Sequence, residues 1–281
     1  MSERPRKPSA LQRNLLFIGV GAAFLWAGLG VGITWDRLVN LPSRLVDIFG
    51  RMFLPPDWSF WQTATEAMVE SIAMAWVGTI IGAALSLPMG FLAARNVSGG
   101  VLSTMARLVL DGIRAVPELI LAIVVFVPIA GLGAMAGALA IGIHSIGTLG
   151  KLSSEAIESI DPGPVEAARA TGSSRVAQQR WGVIPQVLPE IVAFWLYRFE
   201  INLRAAAVLG IVGAGGIGAL LSNTLTYRRW DKAGMTVLVV IIGTILVDQA
   251  SGWVRRRIIE GAEVRPPSDV ELIAEPAAMG R

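Results

Sequence analysis

Long apolar stretches separated by short polar segments set the organisation of this chain. A membrane-spanning helix needs about 20 mostly apolar residues. The first such stretch runs from Leu15 to Ile33, and the next covers about 67–93. Two more cover about 105–130 and 133–153, a fifth begins near Pro189, and a sixth covers about 233–253. Gly131-Leu132-Gly133 reads as the short turn between the third and fourth. Pro88 and Pro117 fall inside or beside spans, where a kink is tolerated if neighbouring groups satisfy the freed backbone. The pattern predicts an all-α, polytopic membrane protein with six transmembrane helices.

Two polar-rich segments qualify that picture. Arg4, Arg6, Lys7 and Arg13 precede the first apolar stretch, a layout shared with signal peptides. Its long core and the lack of an A-x-A site favour an uncleaved span. After it, "WDRLVNLPSRLVDIFGRMFLPPDWSF" mixes charges with Leu38, Leu41, Leu45, Val46, Ile48 and Phe49. This reads as an amphipathic interfacial piece, broken by Pro42 and stopped at Pro55-Pro56. Trp35, Trp58 and Trp61 suit a belt at headgroup level. The expected division is residues 1–63 for the first span and interfacial segment, 64–257 for the core, and 258–281 for a tail containing Pro266-Pro267.

Composition agrees with a membrane protein. Of 281 residues 53% are hydrophobic and 16% charged, where a soluble domain carries about 25% charge. The net charge of +3 is too modest to argue for nucleic acid. The absence of cysteine removes disulfides, thiolate catalysis and Cys-based metal sites, and a single histidine, His144, leaves no expected metal site. The basic residues then test orientation. Sixteen of the 24 fall in the N-terminus, residues 94–114, residues 151–180 and the end of the chain from Arg255. Six fall in the opposite segments and two, Arg198 and Arg204, in the fifth span. This asymmetry places both termini in the cytoplasm.

The longest cytoplasmic loop is "SIDPGPVEAARATGSSRVAQQRWGVIPQVLP". Asp161 can cap a first short helix that begins at Pro162, and Gly172 can end it in a left-handed conformation. Ser173 or Ser174 can cap a second helix that Gly182 ends, and Pro185 starts the return to the membrane. Small Ala167 and Ala168 would admit a partner surface, while Arg169, Arg175 and Arg180 would meet an acidic rim.

Glu166-Ala167-Ala168, three residues, Gly172, ten residues, and Val183-Ile184-Pro185 resemble the coupling-loop signature of ABC importer permeases. "RAVPELILA", "IHSIGTLGKLSSEAIESID", "PVEAARATG", "VIPQVLP" and "YRFEINLRAAAVLGIVGAGGIG" resemble the phosphonate-type branch, over about Pro55 to Asp231. The resemblance implies a permease subunit in a bacterial inner membrane, catalysing no chemistry itself. It implies a second copy of the chain, two cytoplasmic ATPase subunits carrying the ATP and magnesium, an extracytoplasmic substrate-binding protein and contact with membrane lipid. The implied substrates are phosphonates and related oxyanions such as phosphite or phosphate esters. Through Glu166, Ala167, Ala168, Gly172 and Pro185 the loop would transmit ATPase closure to the spans. No G-x-x-x-x-G-K-[ST] occurs, since Leu152 follows Gly150-Lys151; this fits an ATPase on another polypeptide.

Two features remain. Gly213, Gly215 and Gly218 follow the G-x-G-x-x-G pattern of dinucleotide sites, with Asp231 downstream. Such a site needs a strand before the motif and a βα sheet around it, and here membrane helices flank it. Gly213, Gly215, Gly216 and Gly218 therefore read as a close-packed or re-entrant turn beside the pore or gate. In "YRFEINLRAA", helical spacing puts Tyr197, Glu200 and Arg204 on one face and Arg198 and Asn202 on another. An Arg198, Glu200, Asn202 and Arg204 strip could serve an oxyanion path, or Glu200 and Arg204 could form a structural i,i+4 pair. His144 and Ser145 read as a helix–helix hydrogen-bonding pair, Glu118 as a helix-end anchor, and Gly78 and Gly82 as close-packing positions. The alternatives are an ABC importer of another small solute, a secondary transporter and an intramembrane enzyme. The last two lack paired repeats and a catalytic constellation respectively.

Overall fold

The computed structural model describes residues 10–32 and 34–262. The basic residues before Arg13 and the expected tail beyond Ala262 lie outside the described residues. The chain divides into two compact units, one ending at Pro55 and the other starting at Pro56.

The first unit holds α1 (Ala10–Gly30) and α2 (Trp35–Phe53). The α1 helix is long and apolar enough to cross a membrane, and none of its residues is buried. In α2 the helix runs through Pro42 rather than breaking there. Side chains bridge either side of the proline: Asn40 Nδ2 donates to the Asp36 carbonyl at 2.8 Å and Ser43 Oγ to the Asn40 carbonyl at 2.9 Å. These contacts hold the turn that the missing proline N–H weakens.

The second unit opens with a short turn, Trp58–Phe60, capped by Asp57. Ser59 donates its hydroxyl to Asp57 Oδ1 at 2.6 Å and its backbone N–H at 3.0 Å. These bonds, with a smaller pull from Lys232, hold the carboxyl below its usual value against the opposing effect of burial. Then come α3 (Trp61–Ala93), α4 (Gly100–Ala115), α5 (Glu118–Ala130), α6 (Ala134–Glu158), α7 (Gly163–Ala170), α8 (Arg175–Ala214), α9 (Gly216–Thr226) and α10 (Trp230–Ala262). The described residues contain no strand. Four helices are long and apolar enough to span, or six if each of two bent pairs counts as one span.

Both bent pairs depart from straight spans. The α4–α5 pair turns by 76°. Pro117 lacks an N–H and drives Val116 into the extended region (φ −90, ψ 117), which ends α4. A wide π turn, Leu121–Phe126, follows within α5. The α8–α9 pair turns by 57°. The fifth span also starts earlier than Pro189: α8 runs unbroken from the loop through a π turn at Gln179–Val183. Gly182 does not end the loop's second helix. It is buried against Val165, and the widened turn accommodates the missing N–H of Pro185.

The centre of the unit is the α3–α6 contact. A Cβ at Gly78 would stand 2.9 Å from the Ala138 carbonyl oxygen, and one at Gly82 would stand 2.5 Å from Ser145 Cβ. Glycine spacing of four thus lets the two backbones approach, as expected where lipid removes the aqueous driving force for association. Around this seam Met68, Met74, Ile141, Phe199, Leu203 and Ile217 form the main apolar cluster. At the other end Glu158 Oε1 accepts from Arg107 Nη2 and the Arg95 N–H, both at 2.6 Å. Lys151 reaches Asp111 at 3.2 Å. These pairs tie α4 to α6, and Arg107 Nε reaches the end of α3 by donating to the Ala93 carbonyl at 2.9 Å.

Candidate functional site

The loop between α6 and α8 forms a short helix held on a frame. The N-cap of α7 is Pro162 and its first helical residue Gly163, so Asp161 stands one residue before the cap, where its Oδ1 accepts from the Gly163 N–H at 2.9 Å. Gln186 braces both ends: its Oε1 accepts from the Asp161 N–H at 3.1 Å, and its Nε2 donates to the Gly182 carbonyl at 2.6 Å. Gly172 takes φ +73 and turns the chain into α8, with open space around it. Ser173 Oγ donates to the Ala168 carbonyl at 2.5 Å, and Ser174 Oγ accepts from the Ala177 N–H at 3.3 Å. Ser174 is therefore the cap of the second helix. Glu166, Ala167 and Pro185 are exposed and Ala168 is half-buried. Exposed Val176 and Trp181 extend the surface, with the Arg180 guanidinium 5.5 Å over the Trp181 ring. The outcome is an exposed knob with a small-residue crest and basic flanks.

The polar strip of α8 divides between two neighbours. Arg198 and Asn202 face α6. Arg198 Nε donates to Ser145 Oγ at 3.0 Å, and its Nη2 lies 2.7 Å from His144 Nδ1. Asn202 Nδ2 donates to Thr79 Oγ1 at 2.9 Å and Ser145 Oγ at 3.1 Å. Glu118, the first residue after the α4–α5 bend, places Oε2 3.0 Å from the same His144 nitrogen. Residues from α3, α5, α6 and α8 thus meet in one polar cluster, buried at Thr79, Ser145, Arg198 and Asn202 and half-buried at His144 and Glu118. His144 and Ser145 do bond across helices, and Glu118 joins them rather than only ending a helix.

Arg204 and Glu200 face α10, but they do not pair with each other. Arg204 Nη2 bonds Asp248 Oδ2 at 2.8 Å, and Glu200 is buried. The facing helix supplies a closer acid than the next turn of α8 does. A second polar cluster therefore forms at α8–α10, with the other Asp248 oxygen buried and unbonded. Asp248 and Glu118 complete these clusters and were not read as path residues from sequence. An ionisable group inside an apolar stretch was the available signal for both.

The glycine run is a turn, not a nucleotide loop. Gly213, Gly215 and Gly216 take φ +100, +80 and +63, which side-chain-bearing residues rarely adopt. Gly218 presses on the Ala207 carbonyl, where a Cβ would collide. The Ile217 N–H donates to Ser71 Oγ of α3 at 2.9 Å. The Gly131–Gly133 turn meets this one, since a Cβ at Gly213 would lie 2.6 Å from Leu132. A Cβ at Gly215 would lie 2.7 Å from Glu70 Oε1, a further acid that sequence reading did not single out. Two glycine turns therefore stack beside an exposed carboxylate. No group of His or acidic residues among the described residues could hold a metal ion.

Comparison with known proteins adds identity to this geometry. The profile of the binding-protein-dependent transport system inner membrane component family matches residues 86–260. The chain is 44% identical over 248 residues to the phosphate-import permease protein PhnE of Mycolicibacterium smegmatis, covering 87% of this chain and 43% of that protein. It thus spans less than half the length of that relative. It is 41% identical over 204 residues to the phosphite transport system permease protein PtxC of Stutzerimonas stutzeri, covering 72% of this chain and 74% of that protein. The fold resembles a chain of the inward-facing MetNI methionine ABC transporter, with a TM-score of 0.59, 22% identity, and coverage of 67% and 93%. The chain belongs to the family of binding-protein-dependent transport system inner membrane components.

Proposed function

We propose that the chain is the permease subunit of an ATP-driven importer of phosphonates or related phosphorus oxyanions. The observation that carries the substrate class is its identity above 40% to relatives named for phosphate import and phosphite transport. Two copies form the path, two cytoplasmic ATPase subunits supply ATP and magnesium chemistry, and an extracytoplasmic binding protein delivers substrate. The α6–α8 loop docks on the ATPase through Glu166, Ala167, Ala168, Gly172 and Pro185. The two bonds by which Gln186 of α8 ties down Asp161 at the start of the loop favour this reading, because a coupling element has to move with the span that follows it. Both termini face the cytoplasm, in line with the basic-residue asymmetry.

Arg198 and Asn202 on one side of α8, and Glu200 and Arg204 on the other, are the candidate path residues. An arginine whose hydrogen bonds go to Ser145 and a shared His144 nitrogen retains donor capacity that a tetrahedral oxyanion can use. Gly213, Gly215, Gly216 and Gly218 form the candidate gate, where Leu132 closes on Gly213.

The test is a substrate panel. The full complex in vesicles should accumulate phosphite, a phosphonate or a phosphate ester and discriminate against methionine. Uptake of methionine with no phosphorus oxyanion transported would overturn the substrate class while leaving the permease role intact.

A further inference from the structure

Among the described long helices, α2 carries its charges most densely. Its 19 residues carry five charges, too many to cross the hydrocarbon of a bilayer. Yet it is tethered at both ends to apolar helices that can. Residues 31–34 join it to α1, and residues 54–57 lead from it to the candidate span beginning at Trp58. Four residues reach at most about 14 Å. The helix therefore has to remain at the level where α1 leaves the hydrocarbon.

Its side chains are sorted for that position. At 100° per residue, Leu38, Leu41, Leu45, Phe49 and Met52 fall on one line. Leu38, Leu41, Leu45 and Phe49 are all exposed, and α2 buries no residue within its own unit. Phe49 and Phe53 stack at 5.8 Å and widen this face. Arg37, Arg44 and Arg51 repeat every seven residues, so all three fall in a stripe about 40° wide. That stripe lies along one border of the apolar face. Asp36 and Asp47 lie away from it on the polar side, where Asp36 bonds Asn40 and Asp47 bonds Arg51 at 3.0 Å. Arg37 and Arg44 are exposed.

We propose that α2 lies in the membrane plane and that its Arg37–Arg44–Arg51 edge binds the phosphates of anionic lipids. The apolar face enters the acyl region, while the arginines extend from its border to phosphate level, where one guanidinium engages phosphate oxygens in a forked contact. The border position is what selects a lipid headgroup: arginines at the crown of the polar face would point into water.

The experiment uses the full chain with its ATPase partner, in nanodiscs of phosphatidylcholine with or without phosphatidylglycerol. The native chain has no cysteine, so Leu45→Cys and Ser43→Cys each place one fluorophore. The Leu45 label should be quenched by spin-labelled lipid and shielded from iodide, and the Ser43 label should show the opposite. Native mass spectrometry should find retained phosphatidylglycerol. Retention should fall about fivefold for Arg37 or Arg44 changed to Gln, less for Arg51, whose charge Asp47 already meets, and be restored only in part by Arg→Lys, which keeps the charge but not the fork. A Leu45 label open to iodide would overturn the in-plane placement. Lipid retention indifferent to all three arginines would overturn the phosphate contact. Shielding of Leu45 that needs an added binding protein would mark α2 as a protein-docking face instead, and would equally overturn the proposal.

Discussion

Arg198 is buried, no carboxylate among the described residues bonds it directly, and its hydrogen bonds go to Ser145 Oγ and His144 Nδ1. That nitrogen also faces Glu118, and a single ring position cannot accept from the guanidinium and donate to the carboxylate at once. Arg198 and Glu118 therefore compete for one imidazole nitrogen. Arg198→Ala should leave assembly with the ATPase intact and lower oxyanion uptake at least about tenfold, equivalent to about 1.4 kcal/mol, while Arg198→Lys keeps part of it. Unchanged uptake in Arg198→Ala would remove this residue from the path. The α8–α10 pair behaves differently. Arg204→Ala or Asp248→Ala alone should each cost about 1 kcal/mol of stability, measured by detergent unfolding. The double variant should recover most of that loss, and no recovery would show that the two do not act as a pair. The i,i+4 reading of Glu200 with Arg204 missed this because spacing along one helix carries no information about the helix facing it. The face assignment itself was legible: Arg198 and Asn202 turn to α6, and Arg204 turns away from them to α10.

At the scale of elements, glycine and proline explain most of what periodicity predicted and what it missed. Gly78 and Gly82 were readable as a packing face because spacing of four is a property of one helix. The break at Val116-Pro117 was not, because a proline beside a span can kink it or end it, and the choice depends on what satisfies the freed backbone. Gly182 misled for a related reason: it resembles a helix stop, but Val165 packs against it and the helix continues. Gly82→Leu should overpack the α3–α6 seam at a cost of about 1–3 kcal/mol, seen as lost membrane insertion or aggregation. Normal yield would contradict the close approach. Gly215→Ala meets both φ +80 and the Glu70 carboxylate. It should slow uptake while ATP hydrolysis persists, and an unaffected uptake rate would argue against a gate at this turn. In the loop, Glu166→Lys should weaken ATPase docking in a co-purification assay, and full-strength docking would exclude that contact.

For the whole molecule, the apolar pattern made the helical membrane fold and the position of the loop legible, since each rests on long runs or fixed spacing. The way six apolar stretches become four straight helices and two bent pairs was not, because bends are decided by contacts between elements. Orientation is tested most simply in the cysteine-free chain. Asn223→Cys on α9 should react with an impermeant thiol reagent from outside the cell and Ser174→Cys should not; both positions are exposed. The reverse pattern would invert the topology and remove the loop from the ATPase side. The central claim, that this chain passes a phosphorus oxyanion inward under ATP drive, is tested most directly by reconstituting it with its ATPase and binding protein and recording uptake and ATP hydrolysis in the same vesicles. Uptake of phosphite or a phosphonate should require ATP, the binding protein and an intact Glu166–Gly172 loop. Uptake that persists without the ATPase and collapses with the ion gradient would contradict the claim.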